Sequence, residues 1–398
     1  MTKDVRSRAR DLARTALRSA VGAVPVLPEI RIASASQPLS SRWSDLPVEP
    51  HGDTMLGVSF RPLQAAALGL DPGRALTELL VYPFPVLRLA AYWNELEPSA
   101  GHLAASGLDE QIGAATTAGK KVILCVGAVK AFGYPEFFVP AHHLPEPLPE
   151  GRLISPETHP GLADAAAAFV TRIVERYRGN SAIIGWQVEH EPVDPLGMEH
   201  SWRLSAAFVR REVAAVRAAD PSRPVILTGF LPTSIPVRLQ QRWRTRDQGD
   251  SLAVAGQQAD IVGLNIYPRH ALVRLGPRTA YLAGSESPWQ QRASARLCVK
   301  VARSGRRLMV TEGQAEPWET VTTPPSLPGR AMFSCLPEHV IGTYNRALQL
   351  GSGAAAGGLW AYLFWGAEYW LKRRDQGDET YLAAFDRVLT AGSGPGVT

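Results

Sequence analysis

Two glutamates in this chain stand where short apolar runs end. Glu191 lies in Gly185-Trp186-Gln187-Val188-Glu189-His190-Glu191-Pro192, and Glu312 in Leu308-Met309-Val310-Thr311-Glu312-Gly313-Gln314. Each run predicts a strand giving way to a loop. Two carboxylates brought into one cleft, one to protonate a leaving oxygen and one to attack or activate water, are what glycoside hydrolysis requires. Strand alternation predicts that Gln187, Glu189 and Glu191 share a face, opposite Trp186, Val188 and His190; it also groups Leu308, Val310 and Glu312. Inward carboxylates need partners, because an unpaired buried charge is costly. Arg88, in Leu87-Arg88-Leu89, is the natural cation. The plainer alternatives are that Glu191 caps the turn before Pro192 and that Glu312 accepts loop amides.

The elements that must position these residues alternate regularly. Strands are predicted over 55–60, 86–91, 121–127, 182–188, 224–228, 260–266, 307–311 and 358–363. Helices are predicted over 62–80, 108–118, 162–178, 202–219, part of 238–258, 289–304, 337–350 and 379–389. Eight strand-then-helix units argue for a parallel sheet, and no glycine-rich phosphate turn follows the first strand, so a closed (β/α)8 TIM barrel is expected over an open doubly wound sheet. Its longest loops should follow strands three, five and seven. The expected organisation is a basic N-terminal extension and linker over 1–50, one catalytic barrel over 51–392, and a tail over 393–398.

At 398 residues and 45% hydrophobic, the chain can bury a large core. Its net charge of +5 leans on Arg6, Arg8, Arg10, Arg14 and Arg18. With no aromatic-interleaved basic patch elsewhere, no nucleic-acid partner is expected; membrane contact through this basic end is the minor alternative to a solvated helix. Cys125, Cys298 and Cys335 form no metal or disulfide pattern, which favours a reducing compartment, and a cytoplasmic location is expected. A catalytic metal would want a His-x-His pair at the end of strand one, which instead ends in Ser59-Phe60-Arg61; neither a metal nor a cofactor is expected. His142-His143, His159, His200 and His270 are scattered. Phe132, Tyr134, Trp318, Tyr369 and Trp370 lie behind strand ends, where they suit sugar stacking or loop core equally, with Trp318 the best placed for stacking.

These motifs together resemble clan A glycoside hydrolases, retaining (β/α)8 enzymes with an acid/base glutamate after strand four and a nucleophile after strand seven. Gly185-Trp186-Gln187 leading to Glu191 is similar to the strand-four segment of family 42 β-galactosidases. The resemblance spans about residues 55–390 and implies Glu191 as acid/base and Glu312 as nucleophile. It implies Arg88 and Tyr267 (in Asn265-Ile266-Tyr267-Pro268) as supports of that nucleophile, and Trp365 as the floor of the sugar subsite. One residue departs: His190 stands where the family carries the asparagine that holds the sugar 2-hydroxyl. Tyr92-Trp93-Asn94-Glu95-Leu96-Glu97-Pro98 mimics an acid/base motif, but it follows strand two and resembles a Trp…Glu-Pro…Gly segment of the clan. Glu97 is therefore read as structural, with Trp93 and Asn94 edging the sugar site; Gln314 is a further sugar contact.

The expected activity is double-displacement hydrolysis of an equatorial, β-type O-glycosidic bond. Arg88 and Tyr267 should keep Glu312 ionised, and Glu191 should have the higher pKa. An oligosaccharide or glycoconjugate is the expected substrate. The alternatives are a catalytically silent glycan-binding barrel and a transglycosylase of the same clan.

Overall fold

The eight expected strands pair in parallel and close into a single barrel. The computed structural model describes residues 30–391 other than 35, 39–40, 134–135, 145, 150, 194–201, 233–234, 236–237, 240–249, 318–329, 333 and 353–357. The barrel strands are β1 (Met55–Ser59), β2 (Val86–Ala90), β3 (Lys121–Cys125), β4 (Ile183–Gln187), β5 (Val225–Phe230), β6 (Ile261–Ile266), β7 (Arg307–Gln314) and β8 (Ala361–Trp365). They follow one another around the barrel in chain order, and β8 pairs with β1. The outer helices are α1 (Pro72–Leu80), α2 (Ser106–Thr117), α3 (Pro160–Tyr177), α4 (Ala206–Ala219), α5 (Ser251–Gln258), α6 (Pro288–Arg303), α7 (Pro337–Ser352) and α8 (Thr380–Ala391). No helix among the described residues is long and apolar enough to cross a membrane.

The helix expected over 62–80 is two helices. Pro62–Ala67 ends before Gly69, which has a φ of 74°, and Pro72 then opens α1 with Asp71 accepting the Arg74 N–H. Strand alternation sorts the core. Val86, Ile123, Ile226, Ile261, Met309 and Leu363 form an apolar floor inside the barrel, while Leu87, Leu124, Leu308 and Val310 join the cluster that packs on the helices. Each such side chain stabilises the fold by roughly 1.5–3 kcal/mol on burial. Above the floor, Ser59, Arg88, Gln187, Thr228, Asn265 and Thr311 are all buried. The C-terminal end of the barrel is thus polar inside and owes its order to hydrogen bonds.

Two loops depart from the strand-and-helix expectation. After β6 the chain makes a hairpin, Arg269–Leu275 against Arg278–Ala283, and Arg31–Ser34 adds a third antiparallel strand. Parts of the stretch read as extension and linker over 1–50 are also tied down. Ser36–Pro38 pairs with Arg330–Met332, and α7 holds the segment through Asn345 to the Pro47 carbonyl (2.7 Å) and Tyr344 to the Glu49 carbonyl (2.7 Å). The arginines at positions 6–18 lie outside the described residues.

The loops after β3 and β4 are locked by a buried carboxyl pair. Glu189 accepts the N–H groups of Val129 (2.8 Å) and Lys130, and shares a hydrogen bond with Glu212 of α4. Glu212 accepts the Ala128 N–H at 3.1 Å. Gly127 permits this approach, since a Cβ there would lie 2.0 Å from the Glu189 nitrogen. Burial raises the pKa of both carboxyls, and the Glu189 charge helps push Glu212 well above the ordinary range. The Glu189 charge and its hydrogen bond to Glu212 make the Glu212 carboxyl hold its proton more tightly.

A second buried cluster joins the ends of β1, β7 and β8. Arg61 bonds Glu316 through Nη1 (2.7 Å) and Glu368 through Nε (3.0 Å), and its guanidinium lies 4.1 Å from the Trp365 ring centre. Gly366, at φ 140°, lets the chain pass Glu316, whose Cβ a side chain there would meet at 2.8 Å. Burial opposes the charge on Arg61, but the two carboxylates outweigh it and raise its pKa; burial raises that of Glu368.

Two stability outcomes follow. A raised carboxyl pKa means that the folded chain keeps a proton the unfolded chain has released above about pH 4.3, so stability falls as pH climbs through the folded value. As pH climbs above about 4.3 the wild-type melting temperature should fall more steeply than that of Glu212→Gln, which keeps the hydrogen bond without titrating; parallel curves would discard the raised Glu212 pKa. Arg61→Met leaves two buried carboxylates without a cation, and denaturant unfolding should show a loss of about 3–5 kcal/mol.

Candidate active site

Glu312 projects from the end of β7 into the polar layer. Its Oε1 accepts from Arg88 Nη1 at 3.1 Å and lies 3.4 Å from His190 Nδ1, while Oε2 accepts the Tyr267 hydroxyl. Arg88 is aimed from β2 by Gln187 (2.8 Å), the Thr311 carbonyl (3.1 Å) and Ser59 (3.3 Å), and its guanidinium lies 3.8 Å from the Phe132 ring centre. Burial raises the Glu312 pKa, and Arg88 and Tyr267 pull it back only in part. The two partners act in the expected direction, but burial exceeds them. Burial, with the charges of Glu312 and Glu191, holds the Tyr267 phenol well above its ordinary value, so it stays a donor.

Glu191 lies across the mouth from β4. Its Oε1 accepts from Asn265 Nδ2 at 2.6 Å, and Asn265 accepts in turn from Thr311 at 2.6 Å. Its backbone is held at both ends: the N–H donates to Thr228 at 3.2 Å and the carbonyl accepts from Lys130 Nζ at 2.9 Å. His190 Nδ1 is 3.4 Å from Thr228 Oγ1 and also faces Glu312. Burial, with the charges of Arg88 and Lys130, lowers the His190 pKa well below the ordinary imidazole value, so the ring is neutral at pH 7. Both glutamates therefore belong to one hydrogen-bonded network through Asn265, Thr311 and Arg88, with the His190 ring beside Glu312.

The expected alternation fails at both strand ends, and the failures aim the carboxylates. In β4 it holds through Gln187, which faces Arg88 inside the barrel. Glu189 and Glu191 then adopt φ of 54° and 46°, which few non-glycine residues tolerate. Glu189 turns away to Glu212, so Gln187, Glu189 and Glu191 do not share a face. In β7 the pairing register with β6 slips between Leu264 and Asn265, and that with β8 between Val310 and Gly313. This bulge puts Met309 and Glu312 inward, with Leu308 and Val310 outward. Gly313 makes room, because a Cβ there would lie 2.0 Å from the Tyr362 hydroxyl.

Trp365 ends β8 beside Phe132 (ring centres 5.9 Å apart) and within 6.0 Å of the Arg88 guanidinium, so it borders the glutamate cluster. Gln314 donates to the Glu316 carbonyl at 2.8 Å, and its Oε1 is buried without a partner among the described residues. Trp93 is fully buried between Phe169 and His143, and its indole N–H goes to Glu97 at 2.9 Å. Asn94 is held by its N–H to the Phe138 carbonyl, and its side chain donates to Glu95. Phe132, Tyr369 and Trp370 are fully buried, which leaves them no face for a sugar. Trp318 and Tyr134 lie outside the described residues.

Asn265, Thr228, Thr311 and Lys130 were passed over in the sequence. Asn265 had a readable signal: it sits two residues before Tyr267, where an amide inside an apolar strand needs a partner. Among the described residues, metal-ligand side chains converge around Glu97 and not around the two glutamates.

The model for glycoside hydrolase family 42, described as beta-galactosidase, matches residues 85–211, less than half of the chain. No curated protein matches the sequence. Among solved structures, GH5_18 from Streptomyces cattleya in complex with GlcNAc is similar at 14% identity and a TM-score of 0.52, over 86% of this chain and 82% of that one. The exo-beta-1,4-mannosidase Op5Man5 from Opitutaceae bacterium strain TAV5 is similar at 14% identity and a TM-score of 0.52, over 91% and 62% of the two chains. Native xylanase 10B from Thermotoga maritima is similar at 12% identity and a TM-score of 0.51, over 86% and 98%. At these identities the likeness is one of fold, the closed (β/α)8 barrel.

Proposed function

We propose that the protein is a retaining glycoside hydrolase in which Glu312 is the nucleophile and Glu191 the acid/base. The observation that carries this reading is the network of hydrogen bonds at the barrel mouth. It presents Glu312 between Arg88 and Tyr267, and Glu191 on Asn265, from two different strand ends. Glu312 attacks the anomeric carbon while the bond to the leaving oxygen breaks, and Glu191 gives that oxygen its proton. Glu191 then takes a proton from water, whose oxygen displaces Glu312 and frees the sugar. A separation of about 5–5.5 Å between the carboxyl groups is the geometry such retention requires. The neutral His190 ring takes the place of the asparagine amide at the sugar 2-hydroxyl. The likeness to beta-galactosidase, to an exo-beta-1,4-mannosidase and to a xylanase supports a β-linked saccharide as the substrate class.

The test is hydrolysis across a panel of aryl β-glycosides. Glu312→Ala should lose at least ~10³-fold in turnover, and Glu191→Ala about 10²–10⁴-fold, with azide restoring part of the second loss as a glycosyl azide. A 2-fluoro glycosyl fluoride should add one glycosyl mass to the wild type and none to Glu312→Ala. A silent glycan-binding barrel would gain no adduct in either, and a transglycosylase would give transfer products exceeding hydrolysis when acceptor sugar is present.

The pH profile is a separate check. Activity requires ionised Glu312, so it should fall as pH drops through that raised pKa. Removing the Tyr267 hydroxyl removes one of the groups that lowers it. In Tyr267→Phe the acidic limb of kcat/KM should therefore move to higher pH; an unmoved limb would assign it to another group.

A further inference from the structure

The loops after β2 and β3 bring Glu97, His142 and His143 together, apart from the glutamate pair. Glu97 is buried just beyond the short helix Trp93–Leu96, and the two histidines close the single turn Ala141–His143. Both imidazole Nε2 atoms lie 3.3 Å from one carboxylate oxygen, Glu97 Oε1, and the three ligand atoms are within 4.8 Å of one another. As hydrogen bonds these contacts are long, beyond the ordinary range of about 2.7–3.2 Å. The same oxygen already accepts the Gly101 N–H at 3.1 Å. A tetrahedral ion with nitrogen and oxygen ligands at about 2.0–2.1 Å spaces those ligands about 3.3 Å apart. We propose that Glu97, His142 and His143 bind a zinc ion, with solvent as the fourth ligand.

The surroundings fit that assignment. Trp93 donates its indole N–H to Glu97 Oε2 at 2.9 Å, which orients the carboxylate with Oε1 toward the histidines. The Trp93 ring packs on His143, with centres 4.7 Å apart, and so holds one ligand in place. Such supporting contacts are what tune metal sites. The histidine side chains are about a quarter exposed, at 25% and 23%, so an ion can enter from solvent. Two imidazoles and one carboxylate suit zinc and its neighbours, whereas magnesium and calcium take oxygen ligands. The ion would staple the loop after β2 to the loop after β3. The assignment is independent of the glycosidase reading.

The test uses the full chain without a polyhistidine tag, equilibrated with zinc and desalted. Elemental analysis should find about one zinc per wild-type chain, and cobalt substitution should give the intense visible band of tetrahedral coordination. The double variant His142→Ala/His143→Ala should lose the metal, the band and the zinc-induced rise in melting temperature. Its melting temperature in chelator should match that of the wild type in chelator, which separates lost ligands from a damaged fold; Glu97→Gln is the second variant and should bind zinc at least ~10-fold more weakly. A wild type that retains no zinc, or a double variant that retains as much as the wild type, overturns the site.

Discussion

A carboxylate placed inside the mouth of a barrel must be compensated, and the upper half of this molecule is organised around that requirement at Glu312. Its oxygens face Arg88, Tyr267 and His190. Arg88 in turn needs Gln187, Ser59 and the Thr311 carbonyl to satisfy its own donors. One buried charge thereby recruits residues from β1, β2, β4, β6 and β7. Truncating one member of such a network leaves the others unpaired in a low dielectric, so the group acts as a unit.

Beneath this layer the barrel is ordinary. Val86, Ile123, Ile226, Ile261 and Met309 fill the floor, and the helices cover the outer faces. The division has a simple cause. Apolar burial is non-directional and closes the sheet, whereas the polar layer is directional and specifies side-chain positions to within a hydrogen bond. The floor supplies stability and the mouth supplies geometry.

The loops resolve the same problem by other means. The hydrogen bond between Glu189 and Glu212 lets two carboxyls sit together while pinning the segment that carries His190 and Glu191. Arg61 holds Glu316 and Glu368 under Trp365, with the guanidinium stacked on the indole. The hairpin after β6 presses on Tyr267: Ser285 donates to its carbonyl at 2.7 Å, and Gly284 is there because a Cβ would come within 2.1 Å of that oxygen. Each of these contacts holds a loop that carries a member of the glutamate cluster.

The sequence by itself determined the barrel. Eight apolar runs alternating with amphipathic helices permit few other closed arrangements, and all eight strands stand where that pattern put them, to within a few residues. It also singled out Glu191, Glu312 and Arg88, because a charged side chain in or at the end of an apolar strand is conspicuous, whereas Tyr267 came only through the resemblance to clan A glycoside hydrolases. Face assignment was not legible. The rule of two cannot foresee a register slip that depends on neighbouring strands, as at Thr311-Glu312, or positive φ at Glu189 and Glu191. Partners such as Asn265 for Glu191, Glu212 for Glu189 and His142-His143 for Glu97 are distant in sequence and carry no motif. Only tertiary closure brings them within bonding distance, because the crossover helices and loops decide which strand ends meet.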